Sequence, residues 1–204
     1  LTELGVRGTT LVVREDHGDE KTIEGADFRR LIAALDALDV QIRILRRRGL
    51  DFEHLVNRHR DEARGLPKVL AVVHRSDANG QAEPEEVLLH GADDLEADEN
   101  GRDQGDDDTP APNRIVHQPL AECRVLDERI AEIESFGVPI GDLFIHREEL
   151  VTGELTPGRY LLRRESDDDI ALDNLAAVAP GLRNLGRGGL AIKRFKGLGE
   201  MNAD

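Results

Sequence analysis

The hydrophobic residues follow a helical spacing in two long segments of the chain. In the first, they recur at alternating intervals of three and four, which places them on one stripe of an α-helix: Phe28, Leu31, Leu35, Leu38, Ile42 and Leu45. The second segment, which Pro119 would open, repeats the spacing with Cys123, Leu126, Ile130 and Ile133. Together the stripes predict a helical, coiled-coil-like hairpin whose two helices zip together, antiparallel.

Two shorter helices and several strands complete the pattern. Asp51 can cap a helix that runs to about Ala63, and another helix is predicted over Asp173–Leu185. Runs of β-branched and aliphatic residues next to turn residues predict two strand pairs and three further strands: Gly8–Arg14 with Glu20–Glu24, Pro67–His74 with Glu86–His90, and Asp142–Ile145, Gly158–Arg164 and Leu190–Phe195. The predicted class is therefore α+β, with a helical hairpin and small mixed β-sheet elements.

Composition bounds the possible classes of protein. The chain has 204 residues, of which 39% are hydrophobic and 3% aromatic, so its core is aliphatic and fills one domain or two small ones. It holds no apolar run of the roughly 20 residues that cross a bilayer, and Cys123 is the one cysteine. These features predict a soluble protein of the reducing cytoplasm, without disulfides or a multi-cysteine zinc site.

The formal net charge is −15, and it is distributed unevenly. Residues 93–108 carry nine acidic residues and one arginine, a net charge of −8, and predict a disordered acidic loop over about residues 93–113. The overall balance argues against a free-standing nucleic-acid binder, because contacts with phosphates need clustered lysine and arginine.

Several polar residues suggest chemistry but have simpler explanations. His54 and His59 are five apart, which in an α-helix places them on different faces, so surface histidines are expected instead of a metal site. A run of three carboxylates, Asp167–Asp169, is interpreted as a capping loop before a helix. An arginine cluster near the end of the first long helix is interpreted as helix-end complementarity plus ion pairs; it comprises Arg43, Arg46, Arg47, Arg48, Arg58 and Arg60.

The last segment departs from the acidic character of the chain. Residues 193–202 read KRFKGLGEMN, in which cations precede a tight glycine loop and one carboxylate. A cationic loop of this kind can approach a phosphodiester, although a strand-to-helix turn with a basic edge gives the same pattern. The segment closely resembles the Gln-Arg-Tyr/Phe-Lys-Gly-Leu-Gly-Glu-Met-Asn motif in the B subunits of bacterial type IIA topoisomerases, with Lys193 where Gln is usual and Ala203 where Pro is usual.

The resemblance implies both an architecture and a set of site residues. Residues 1–169 resemble the long insertion in the TOPRIM region of gyrase-type B subunits, and residues 170–204 resemble the closing helix and strand of that region. The implied loop beside the DNA and metal site consists of Lys193, Arg194, Lys196, Gly197, Leu198, Gly199 and Glu200. No catalytic residue or metal ligand is assigned in this chain, because the EGDSA motif that binds Mg²⁺ in the family is absent from it and neither run of three aspartates, 106–108 or 167–169, is assigned as the family's Asp-x-Asp pair.

Activity and partners follow from the same resemblance. The whole enzyme would use ATP and Mg²⁺ to supercoil DNA negatively by breaking and rejoining both strands, as an A2B2 heterotetramer with the gyrase A subunit. This chain would be a non-catalytic fragment, with neither cofactor bound, whose insertion contacts other domains or the A subunit. Two alternatives remain open: a topoisomerase IV B subunit, and a stand-alone acidic interaction module that mimics DNA.

Overall fold

The secondary structure is mixed, with short strands and helices alternating along the chain. The computed structural model describes residues 6, 8–15, 18–74, 84–91, 93–94, 114–164 and 167–188. In chain order the elements are β1 (Thr9–Arg14), β2 (Glu20–Ile23), α1 (Gly25–Arg47), α2 (Phe52–His54), a π-helical turn (Leu55–His59), β3 (Val69–His74), β4 (Glu85–Leu89), β5 (Arg114–Pro119), α3 (Ala121–Ser135), a 3₁₀ turn (Ile140–Leu143), β6 (Tyr160–Arg164), β7 (Asp167–Leu172), a second 3₁₀ turn (Leu175–Ala177) and α4 (Val178–Gly188).

The chain forms two compact units. Unit 1 comprises residues 1–32 and 145–204, and unit 2 comprises residues 33–144, so α1 contributes residues to both. The predicted division at residues 169 and 170 concerns the family architecture and stays a prediction. Each unit contains one small antiparallel sheet, which confirms the α+β class.

Unit 1 contains a four-stranded antiparallel sheet in the order β2-β1-β6-β7. Leu11 and Val12 on β1 are neighbours in sequence and are both fully buried, so both faces of this central strand are covered. Helix α4 packs closely on the sheet because Gly181 has no side chain: a Cβ there would lie 3.1 Å from the methyl carbons of Leu162 and Leu172. The predicted β1–β2 hairpin and the β6 strand are confirmed.

Unit 2 contains a three-stranded antiparallel sheet in the order β4-β3-β5. The β3–β4 pair confirms the predicted strands, and β5 is a strand that the sequence did not predict. The apolar stripe of α3 is buried, and each fully buried aliphatic side chain contributes about 1.5–3 kcal/mol; the stripe consists of Cys123, Leu126, Ile130 and Ile133. The Phe52 and Phe144 rings pack with their centroids 5.8 Å apart.

The structure confirms one part of the predicted helical hairpin, the burial of its two apolar stripes. The stripe of α1 is buried at every position except Ile42, which is half-buried. Arg48, just after α1, forms an ion pair with Glu122 at the start of α3, with Nη1···Oε2 at 2.9 Å. The antiparallel pairing of the two helices along their apolar stripes stays a prediction.

Four predictions about local structure are wrong. The predicted strand over residues 142–145 is instead mostly a 3₁₀ turn, in which Phe144 N donates to Gly141 O at 3.0 Å. The predicted opening residue of α3, Pro119, is instead the last residue of β5, and the helix begins at Ala121. The predicted capping loop over residues 167–169 is instead part of β7, which pairs with β6.

The fourth error concerns the helix that begins after Asp51. The capping role of Asp51 is confirmed, since His54 N donates to its Oδ1 at 2.8 Å, but the α-helix ends at His54 and a π-helical turn follows it. Predicted features that fall outside the described residues are the strand Leu190–Phe195 and residues 95–113 of the acidic loop. Within the described residues, no helix is both long and apolar enough to cross a membrane.

Candidate functional site

The glycine loop that resembles the topoisomerase motif lies outside the described residues. The structure describes the chain up to Gly188 in α4, five residues before Lys193. The predicted site residues Lys193, Arg194, Lys196, Gly197, Leu198, Gly199 and Glu200 therefore stay predictions. Polar side chains also form clusters within the described residues.

One such cluster surrounds a cavity of about 760 Å³ in unit 1. The start of α1 at Gly25 lines this cavity together with three arginines, Arg29, Arg163 and Arg164. Thr9 also lines it; this residue is 3% exposed, and within the described part of the chain its hydroxyl has no hydrogen-bond partner. The cavity wall is cationic, although Glu24 contributes one carboxylate.

Arg163 forms ion pairs with carboxylates on other strands of the same sheet. Its Nη2 donates to Asp169 Oδ2 at 2.8 Å, and its Nη1 donates to Glu20 Oε2 at 3.1 Å. These contacts raise the pKa of Arg163, with the hydrogen bond to Asp169 contributing most, and lower the pKa of both carboxyl groups. Asp169 is thus a cross-strand partner of an arginine and not a helix cap.

The arginine cluster near the end of α1 forms ion pairs within unit 2. Arg43 contacts Asp39 one turn earlier, and Arg48 donates both to Glu122 and to the Pro119 carbonyl oxygen, the latter at 3.0 Å. Arg60 makes a two-point contact with Glu134. For these three arginines, the interpretation as ion-pairing partners is confirmed.

The two histidines at the start and end of the π-helical turn lie side by side. In an α-helix, residues five apart project about 140° from each other, but the wider π turn brings the i and i+5 positions together. His54 Nε2 and His59 Nε2 are 3.2 Å apart, and the ring centroids are 5.0 Å apart with an edge-to-face geometry. The prediction that these residues occupy different faces is wrong, because it assumed regular α-helix beyond His54.

A third histidine fixes the backbone at this position. His90 Nε2 lies 2.7 Å from the His59 carbonyl oxygen, so this ring nitrogen carries the proton and donates it. The backbone N–H of His90 donates to Asp94 Oδ2 at 2.8 Å, and Asp94 also pairs with Arg64. Burial lowers the pKa of His59, and the charges of His54 and His90 lower it further.

The histidine pair borders a cavity of about 320 Å³ in unit 2. Its polar lining includes Asp51 and Glu86 as well as the two histidines, and its apolar lining consists of Leu50, Leu55, Leu70 and Leu88. The sequence contains no signal for this arrangement, because the five-residue spacing becomes a contact only once the π turn is known.

The remaining reactive group is the thiol of Cys123. It is fully buried on α3, and burial raises its pKa to about 11, which leaves it protonated at neutral pH. Among the described residues, no group of three or more His, Cys, Asp or Glu side chains is arranged to hold a metal ion. The Mg²⁺ and ATP that the family resemblance implies stay predictions.

Comparison with known proteins identifies no relative. No protein-family model, curated protein or solved structure matches the chain.

Proposed function

We propose that this chain is part of the B subunit of a bacterial type IIA DNA topoisomerase of the gyrase type. The observation that carries the proposal is the contiguous segment KRFKGLGEMN at residues 193–202, which resembles a motif of those subunits over ten positions. In the whole enzyme, ATP-dependent double-strand passage would introduce negative supercoils with the gyrase A subunit as partner. Mg²⁺ would be bound by carboxylates outside this chain.

In this proposal, the part of the chain that precedes the motif makes contacts and carries no catalytic residue. Several of its arginines form ion pairs with nearby carboxylates, as in the contacts of Arg60 with Glu134 and of Arg163 with Asp169. Its cysteine is buried and protonated. Such a framework suits an insertion that contacts other domains or the A subunit, with its acidic surface steering DNA by repulsion.

The proposal predicts an effect of Lys196 on DNA cleavage. In the full-length subunit assembled with the A subunit, Lys196→Ala removes a cation that would face the phosphodiester, so DNA cleavage should slow about 100-fold while ATP hydrolysis continues. Lys21→Ala is the matched control, since Lys21 is exposed on β2. If the Lys196→Ala variant cleaves DNA at the wild-type rate, the placement of this loop beside the DNA is wrong.

The family assignment has its own test. The coding sequence upstream of Leu1 should contain an EGDSA motif and an Asp-x-Asp pair. Gyrase and topoisomerase IV are then separated by assay, because the former supercoils relaxed plasmid and the latter decatenates linked circles. Decatenation without supercoiling by the assembled enzyme would assign the chain to topoisomerase IV.

The net charge of −15 favours one candidate of another class, an acidic module that mimics DNA. Such a module would compete with duplex DNA for a basic protein, and its affinity would fall as salt rises. The topoisomerase proposal predicts no such competition by the chain in isolation. If the isolated chain competes with duplex DNA and its Lys196→Ala variant competes equally well, the DNA-mimic candidate is favoured.

A further inference from the structure

The His54–His59 pair has the geometry of a metal chelate. Zinc binds histidine nitrogen at about 2.0–2.1 Å, so two nitrogens on one tetrahedral ion lie about 3.3–3.4 Å apart, and two at a right angle lie about 2.9 Å apart. The observed Nε2···Nε2 distance of 3.2 Å falls between these values. One ion can therefore contact both imidazoles with little movement of either ring.

The backbone holds this pair in place from two directions. Asp51 accepts a hydrogen bond from His54 N at 2.8 Å and fixes the start of α2, while His90 Nε2 donates to the His59 carbonyl oxygen at 2.7 Å. Through this hydrogen bond His90 acts on the backbone that carries His59, so we assign it a positioning role; among the described residues no three His, Cys, Asp or Glu side chains are grouped around one ion. The two ligand rings are thereby held in a preformed arrangement, which lowers the cost of ordering them.

The surroundings can accommodate an ion that keeps part of its water shell. Both histidines line the cavity of about 320 Å³, and the acidic residue Glu86 lines it too. Two protein ligands leave coordination positions for water, and the ion would be exchangeable instead of structural. The ligand type decides the class of ion, because imidazole favours Zn²⁺, Cu²⁺ and Ni²⁺, whereas Mg²⁺ and Ca²⁺ prefer oxygen.

We propose that His54 and His59 form a two-histidine site in unit 2 for one borderline divalent transition-metal ion, with water completing the coordination shell. The site is independent of the proposed topoisomerase function, which relies on Mg²⁺ and on other residues. A simple hydrogen bond between the two neutral imidazoles, with no affinity for metal, is the competing explanation of the same distance.

The experiment is a calorimetric titration of the whole metal-free chain with Zn²⁺ at neutral pH, in a large excess of Mg²⁺. The excess Mg²⁺ occupies carboxylate sites in the acidic segment, so that the heat measured on adding Zn²⁺ comes from binding to imidazole ligands. We expect one equivalent to bind to the wild type, and His54→Asn or His59→Asn to weaken it at least about tenfold, since each removes one of two protein ligands. The matched control is His117→Asn, because His117 is an exposed histidine on β5.

A second readout does not depend on heat. Co²⁺ should give visible d–d absorption with the wild type and with His117→Asn, and this absorption should be lost with the double variant His54→Asn/His59→Asn. Unchanged circular dichroism of the variants would show that they fold. Absence of saturable Zn²⁺ binding by the wild type, or equal affinity in the double variant, would overturn the proposal.

Discussion

Arg60 and Glu134 face each other through two parallel hydrogen bonds, with Nη1···Oε1 and Nη2···Oε2 both at 2.8 Å. The two residues are 74 apart in sequence, so the contact ties the segment after the π turn to the C-terminal end of α3. Both side chains are about two-thirds buried. A two-point contact of this kind is stronger than a single exposed ion pair, because both hydrogen bonds are charge-assisted and partly shielded from water.

We predict that Arg60→Met lowers the free energy of unfolding by about 1–2 kcal/mol, because it leaves the Glu134 carboxylate without its main partner. Arg60→Lys should recover only part of this loss, since an ammonium group does not reproduce the planar two-point contact. The measurement is urea unfolding followed by circular dichroism.

The control is Arg43→Met. Arg43 pairs with Asp39 on the exposed face of α1, and an exposed i, i+4 pair contributes about 0.3–0.5 kcal/mol. Equal destabilisation by Arg43→Met and Arg60→Met would contradict the view that shielding from water distinguishes the two pairs.

The same contact predicts a dependence of stability on pH. The hydrogen bond from Arg60 lowers the pKa of Glu134 in the folded chain below the ordinary glutamate value of 4.5. The contribution of the pair is therefore fully present above about pH 4.5, and it disappears as the pH falls through the lower, folded-state pKa. The difference in unfolding free energy between the wild type and Glu134→Gln should shrink over that acidic range.

The measurement is a series of urea titrations from neutral pH to about pH 3. Glu62→Gln serves as the control, since Glu62 is exposed in the turn between Asp61 and Gly65. A difference for Glu134→Gln that stays constant down to the lowest pH would show that the carboxylate is not stabilised in its charged form.

The sequence predicts the long helices well because their burial is periodic. The stripe from Phe28 to Leu45 could be read directly from intervals of three and four, and the structure buries almost all of it. By contrast, β5 carries Arg114, His117 and Gln118 and ends at Pro119. Such a strand has no alternating pattern, and it forms because β3 offers it hydrogen bonds and because proline is tolerated on an edge strand.

The histidine pair shows a different limit of sequence reasoning. The sequence shows that positions 54 and 59 are histidines. The distance between the rings of His54 and His59, however, depends on the π-helical turn at Leu55–His59, which holds about one more residue per turn than an α-helix. No residue in that turn signals a π-helix, and the contacts that favour it come from elsewhere in unit 2, including the hydrogen bond from His90 to the His59 carbonyl oxygen. The arrangement was therefore a property of tertiary structure and not of local pattern.

The buried thiol of Cys123 should be unreactive in the folded chain. With a pKa of about 11, about one thiol in a thousand is ionised at pH 8, and the side chain is fully buried. An aromatic disulfide reagent should therefore react slowly with the native protein and rapidly in urea. The control is the double variant Cys123→Ala/Ala131→Cys, which moves the thiol to an exposed position on α3 and should react rapidly in both conditions. Rapid reaction of the native wild type would contradict the burial of this residue.

Gly65 lies in a turn that tolerates no side chain. Its φ is +75°, a region that favours glycine, and a Cβ at this position would lie 2.5 Å from Asp127 Oδ2. The Asp127 carboxylate cannot easily move away, because it accepts a hydrogen bond from Leu66 N at 3.0 Å and pairs with Lys68.

Gly65→Ala should therefore destabilise the chain by about 2–4 kcal/mol, combining strain in the backbone with loss of the Asp127 contacts. The matched control is Gly49→Ala. Gly49 has a similar φ of +80° but no atom within 4 Å of its Cβ position, so it reports the backbone strain alone, about 1 kcal/mol. The two variants are compared by urea unfolding at neutral pH. Equal losses would show that Asp127 yields to the added methyl group, and that the positive φ is the sole reason for glycine at position 65.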